Sequence, residues 1–302
     1  MNTMTTRFRP DRQLTLRMLA TLFLLGLLYV AFIAALIVLL KSWIVVVVIA
    51  GGLLAAQFWF SDRIALFAMH GRAVTPEEEP HLHGVVDRLC AMADMPKPQV
   101  ALSAMDLPNA FATGRSPGHT VVCVTTGLLR RLDTEELEGV LAHELSHVAH
   151  RDVAVITIAS FLGVLAGLLV RFTFYSELFG RRGDQNTAAL LALVMAVSAT
   201  VYAISFLLIR TLSRYRELAA DRSAALLTAR PSALASALTK VSGAIARIPT
   251  RDLRTAQPFN AFFFTPALGE GTTLFSLFST HPSLERRLDQ LARISQELGG
   301  PT

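Results

Sequence analysis

Polar and apolar positions along this chain fall into two regimes. Four stretches carry no charged residue: Met18 to Leu40 and Thr187 to Ile209, of 23 residues each, and Trp43 to Phe60 and Val153 to Val170, of 18 each. A helix that spans a bilayer needs about 20 apolar residues, whereas the apolar stretch of a buried core helix is usually only about 10–14. All four runs are therefore expected to be transmembrane helices, paired as two hairpins. The first run exceeds the apolar region of a cleaved signal peptide, about 7–15 residues. Lys41-Ser42 leads straight from it into the second run, which predicts a retained hairpin.

Between the runs the pattern changes. Pro76 to Ala93 starts with glutamates and sets Leu82, Val85, Val86, Leu89 and Met92 at helical spacing, which predicts a helix. Gln99 to Ser103, Asn109 to Thr113 and His119 to Thr125 are short, β-rich and separated by Pro and Gly, and read as a small sheet of two or three strands. Asp133-Thr134-Glu135-Glu136 predicts a capping box, followed by one apolar face of Leu137, Val140, Leu141, Leu145 and Val148. Helices are expected over 211–228 and 231–248, then a loop over 249–280, rich in Phe, Gly, Pro and Thr. His281-Pro282-Ser283 opens a last helix, with the proline expected in its first turn.

The resulting fold class is an α-helical membrane protein of about four transmembrane helices with a mainly α cytoplasmic domain carrying a small β-sheet (α+β). Its parts are an N-terminal segment (1–17), a first hairpin (18–60), a first domain half (61–152), a second hairpin (153–209) and a second domain half (210–302). Composition agrees with this. Hydrophobic residues make up 52% and charged residues only 17%, against about 25% charged in ordinary soluble domains. That argues against both a purely cytosolic globule and a disordered chain. Two cysteines, Cys90 and Cys123, in no CxxC pattern read as small buried hydrophobes. The net charge is +5, but the arginines flank the apolar runs instead of forming one stripe, so a lipid bilayer and not nucleic acid is the expected partner. With the N-terminus in the cytoplasm, eleven basic residues near the span ends lie inside and four outside, which puts both domain halves in the cytoplasm. Arg181-Arg182 runs against that rule.

The capped helix contains His143-Glu144-Leu145-Ser146-His147, an H-E-x-x-H pattern. Histidines four apart lie one turn apart on one helix face, so both imidazoles can reach one Zn²⁺ at about 2.0–2.1 Å. Glu144, the next position round, is placed to take a proton from the water that the metal activates. The plain alternative is a polar face on an interfacial helix. A catalytic zinc needs a third protein ligand. His150 is one candidate; Glu217, in Glu217-Leu218-Ala219-Ala220-Asp221, is the stronger. Its partner Asp221, also four residues on, can orient a ligating histidine. A solvated acidic face beside Arg214, Arg216 and Arg222 is the bland reading of that pair. The hairpin 153–209 favours Glu217 as the ligand: two crossings return the chain to its starting side, with His147 six residues before the hairpin and Glu217 eight after it. At about 1.5 Å per residue both groups stand about 10 Å from one membrane face. The long metzincin motif is excluded, because position 150 holds His and 153 Val.

Four motifs in order carry a family resemblance: Pro108-Asn109-Ala110-Phe111-Ala112-Thr113-Gly114, Val140 to His147, Ser213 to Asp221, and His281-Pro282-Ser283-Leu284-Glu285-Arg286-Arg287, with a membrane hairpin at the N-terminus and another between the second and third. The chain resembles the HtpX-type membrane zinc metallopeptidases, relatives of the type I CAAX prenyl proteases, over nearly its whole length. The resemblance implies a gluzincin endopeptidase of the bacterial inner membrane, its site facing the cytoplasm, acting on damaged or misassembled membrane proteins. It implies one Zn²⁺ per chain on His143, His147 and Glu217, Glu144 as the base and Asp221 as the carboxylate behind a ligand. It also puts Asn109 in a substrate-binding edge strand and His281 near the site. His281 is a candidate donor to the oxyanion, or only a helix cap; Asn109 grips substrate backbone, or only forms a turn after Pro108.

Three other functions fit less well. A site-2-type intramembrane protease carries the same motif inside a spanning helix, but here Asp133, Glu135, Glu136, Glu138 and Arg151 bracket it. A small-ion transporter wants ionisable groups within its spans, and these have none. A non-catalytic zinc-binding scaffold or chaperone-like protein has no need of Glu144. Nothing in the sequence specifies an oligomeric state.

Overall fold

In the computed structural model, residues 12–40, 43–60, 63, 66–67, 69–116, 118–150, 165–166, 169, 185–247 and 281–299 are described. Helices α1 (Arg12–Leu40) and α2 (Trp43–Trp59) run through the first two uncharged stretches. Strand β1 (Gly71–Ala73), helix α3 (Pro80–Ala93) and strands β2 (Gln99–Ser103), β3 (Ala110–Ser116) and β4 (His119–Thr125) follow. Then come α4 (Thr126–Leu129), α5 (Thr134–Ala149), the 44-residue α6 (Gln185–Thr228), α7 (Pro231–Ala246) and α8 (Leu284–Glu297). The third uncharged run falls almost wholly outside the described residues, and so does the segment 249–280.

The chain divides into two compact units. One comprises Thr15–Phe60 and Val155–Leu212. Leu25, Phe32, Leu36, Val46, Val194 and Val201 are buried in its interior. Phe23, Val30 and Val38 point outward with 67–73% of their surface exposed. So much uncovered apolar surface on a helix is stable against lipid tails and not against water. Thr15–Leu39 and Ala189–Thr228 are long and apolar enough to cross a bilayer, and Val46–Ala56 is a shorter apolar helix.

The other unit, Met1–Leu14, Ser61–Ala154 and Ser213–Thr302, is built around a four-stranded sheet of order β1-β2-β4-β3. β2 and β4 pair in parallel; the two outer pairings are antiparallel. Every residue of β4 after His119 is buried, so the alternation of a one-sided strand is absent. β3 forms one edge and runs past the predicted Thr113 into a hairpin with β4. Gly114 makes that possible: its φ is +148°, and a Cβ there would lie 2.1 Å from the His119 carbonyl oxygen.

The helix predicted from Pro76 starts at Pro80. Proline at the first helical position disfavours helical backbone before it. The preceding residues form a turn instead, in which Thr75 N–H donates to Glu78 Oε2 at 2.9 Å. The last helix also differs from expectation. Pro282 lies outside it, and Ser283 is the cap, its hydroxyl oxygen accepting from Arg286 N–H.

The capping box at Asp133 forms with both arms: Glu136 N–H donates to Asp133 Oδ1 at 2.9 Å, and Asp133 N–H to Glu136 Oε2 at 3.1 Å. Asp133→Ala is expected to lower stability by about 1 kcal/mol, read as a lower melting temperature of the detergent-purified protein. Glu135→Ala breaks only the exposed ion pair with Arg230 and is expected to change stability by no more than about 0.5 kcal/mol.

Candidate metal centre

Every residue of α5 from Glu136 to Val148 is buried. Its apolar stripe explains half of that: Leu137, Val140, Leu141 and Leu145 enter the core, and Gly139 lets the backbone of α7 approach, since a Cβ there would stand 3.2 Å from Leu234 N and Cα. The polar half can be buried only if each group meets a partner. Glu136 Oε1 takes Lys240 Nζ at 2.5 Å and the Ser236 hydroxyl at 2.6 Å; Glu138 takes Arg88 at 3.0 Å. The Ser146 hydroxyl donates to the His143 carbonyl at 2.8 Å.

Two histidines remain, and α6 answers them with carboxylates one turn apart. His143 Nε2 lies 3.4 Å from Glu217 Oε2, and His147 Nε2 lies 3.5 Å from Glu217 Oε1. The imidazoles meet edge to face, 4.8 Å between ring centres. Asp221 Oδ1 accepts from His143 Nδ1 at 2.9 Å, which leaves the Nε2 lone pair turned towards Glu217. His143, His147 and Glu217 each offer one ligand atom within 4.8 Å of the others, and all three are buried. Atoms held tetrahedrally about 2.0–2.1 Å from one ion stand about 3.3–3.4 Å apart. The two imidazole-to-carboxylate separations, each to a different oxygen of Glu217, come close to that span, and two imidazoles and a carboxylate are a donor set that suits zinc.

Glu144 points the other way round α5. Its Oε2 accepts from Ala112 N–H at 3.0 Å, which ties it to edge strand β3. Burial pushes its carboxyl pKa up, with His143 and His147 pulling in the opposite sense. His143 is raised: burial alone would lower it, and Asp221 and Glu217 outweigh that. His281 Nδ1 lies 3.3 Å from Glu217 Oε2. Asn109 is buried immediately before β3. Its N–H donates to Thr125 Oγ1 at 2.9 Å, and its carbonyl accepts from Thr125 N–H at 3.0 Å. His150, the rival third ligand, turns Nδ1 to the Ser146 carbonyl at 2.8 Å and is not part of the cluster among the described residues.

Two arginines were not foreseen. Arg216 NH2 lies 3.4 Å from His147 Nδ1. Arg287 grips both oxygens of Asp221, at 2.6 and 2.7 Å. Spacing offered a signal for Arg287: it sits with Leu284, Leu288 and Leu291 on the apolar stripe of α8, where a charge needs a buried partner.

Residues 76–295 match the profile of Peptidase family M48. A Streptomyces coelicolor protein described as "Protease HtpX homolog 1" is 75% identical over 296 residues, covering 98% of this chain and 97% of its own. A "Protease HtpX homolog" of Moorella thermoacetica is 51% identical over 289 residues, covering 95% and 96%. The crystal structure of S. mikatae Ste24p shares the fold at a TM-score of 0.50 and 17% identity, over 93% of this chain and 67% of that one.

Glu217→Ala is expected to bring the metal content of purified protein down from about one ion per chain to near zero, measured by atomic emission.

Proposed function

The chain belongs to peptidase family M48 and is a membrane-bound protease with polypeptide substrates, and we propose that it is a zinc-dependent endopeptidase of the bacterial inner membrane. The buried set of two imidazoles and one carboxylate with Glu144 beside it carries this reading. In it, residues 61–152 and 210–302 are the two halves of one cytoplasmic peptidase domain, and two hairpins, 18–60 and 153–209, cross the bilayer.

His143, His147 and Glu217 hold the ion, one per chain, and Asp221 orients His143. Zinc bound there would lower the pKa of water towards about 7 and polarise the scissile carbonyl. Glu144 takes the proton of the attacking water and passes it to the leaving amine. A carboxyl raised by burial suits both halves of that task, since it must hold a proton briefly and then release it. His281 donates to the oxygen that becomes negative as the carbonyl is attacked.

Substrate lies along β3. Asn109 pairs with Thr125, and Ala112 N–H points away from β4 to Glu144. In an antiparallel ladder alternate residues face the partner strand, so Ala110, Ala112 and Gly114 turn their backbone groups to the open edge. An extended polypeptide can add there by main-chain pairing through Ala110 and Gly114 on either side of the Ala112–Glu144 bond, with Asn109 just upstream of the strand. Substrates of this kind are locally unfolded segments, as in damaged or misassembled membrane proteins.

Glu144→Gln is expected to keep about one zinc per chain and to cleave a denatured model substrate at least about 10³-fold more slowly. Proteolysis at the wild-type rate would leave a zinc-holding scaffold as the better account.

A further inference from the structure

Arg287 is 1% exposed and Asp221 0%. Two charged side chains removed from water this completely are held by fork-to-fork geometry: Nε donates to Oδ2 at 2.7 Å and NH2 to Oδ1 at 2.6 Å. Asp221 Oδ1 also takes His143 Nδ1. We propose that Arg287 is a positioning residue for the metal centre, acting through Asp221 to fix the orientation of His143. The proposal rests on the reading of His143, His147 and Glu217 as metal ligands.

A carboxylate bonded at one oxygen can swing about its Cβ–Cγ bond; one clamped at both cannot. With Arg287 in place, Asp221 presents Oδ1 to Nδ1 of His143 in one fixed direction, and the ring can turn only its Nε2 to the cluster. Charge leads to the same residue. Glu144, Glu217 and Asp221 are three buried carboxylates, and Arg287 lies against one of them. A divalent cation on the ligands would face Glu144 and Glu217, buried Arg216 lies beside His147, and Arg287 is the cation in direct contact with Asp221. Without Arg287, Asp221 loses the counter-charge that lies against it while staying fully buried. Lysine would replace Arg287 only in part, because a point charge on a flexible stem supplies the charge but cannot hold both oxygens at fixed angles.

Arg287 stands on α8, beyond segment 248–280 in sequence, and Leu291 and Ile294 bury the same helix face. The docking of α8 therefore reaches the histidine of α5 through a side chain of α6.

Zinc affinity of the full-length detergent-purified protein, measured against a chromophoric chelator, tests this for wild type, Arg287→Gln, Asp221→Asn and the double variant. The expected result is an affinity about 10–100-fold weaker for Arg287→Gln, with no further loss when it is added to Asp221→Asn. Arg287→Lys is expected to recover part of the loss, and it supplies the same comparison if the glutamine variant does not fold. A zinc affinity within about twofold of wild type would overturn the proposal, even if the melting temperature fell. So would losses that simply add in the double variant. Wild-type protein that takes up no zinc would overturn the metal-centre reading and this proposal together, whereas normal uptake by wild type and Arg287→Gln alike overturns this proposal alone.

Discussion

Buried charge has to be matched where it lies, and this requirement organises the peptidase unit. Glu144, Glu217, Asp221 and Arg287 are all enclosed around two imidazoles. None of them is tolerable there singly, because removing an ion from water without a counter-charge costs several kcal/mol. Each element that forms the wall of the site therefore brings a charge or a donor answering a neighbour's: α5 its histidines and Glu144, α6 its carboxylates, α8 its guanidinium and β3 a backbone N–H. Their assembly is cooperative for that reason. A helix that failed to dock would leave another's side chain stranded.

The same accounting extends along α5. Glu136 and Glu138 sit on its buried surface, and their partners come from α7, from α3 and from the chain between α6 and α7. The helix that carries the H-E-x-x-H motif is thus pinned at its start by polar contacts and along its length by leucines. A helix meant to hold a metal or position a base needs such rigidity, since tenths of an ångström separate a productive geometry from a loose one.

How much of this the sequence displayed depends on whether the signal was local. The capping box, the bounds of β2 and β4 and the helix bearing both histidines were legible, because capping chemistry and periodicity act within a few residues. The approach of Glu217 to the histidines is observed as expected, while the first run of the hairpin behind that expectation falls almost wholly outside the described residues. Strand β1 was not legible, as three residues carry no periodicity and β1 exists by pairing with β2. The starts of α3 and α8 lie four and two residues beyond the expected ones, since proline chemistry permits more than one boundary and neighbouring side chains choose between them. Arg287 stood in a quoted motif without a role, and the meaning of a charge on an apolar stripe emerges only when Asp221 lies opposite.

The bond from Ala112 to Glu144 has an effect unrelated to chemistry. Uncovered sheet edges invite a second copy of the same chain to zip on, the usual first step towards aggregates. On β3 one rung is already taken by the buried carboxylate of Glu144, which holds the Ala112 N–H. A neighbouring molecule offering a flat, regular strand meets an interrupted ladder there. The carboxylate thus removes one rung of β3 from pairing with a second copy of the chain.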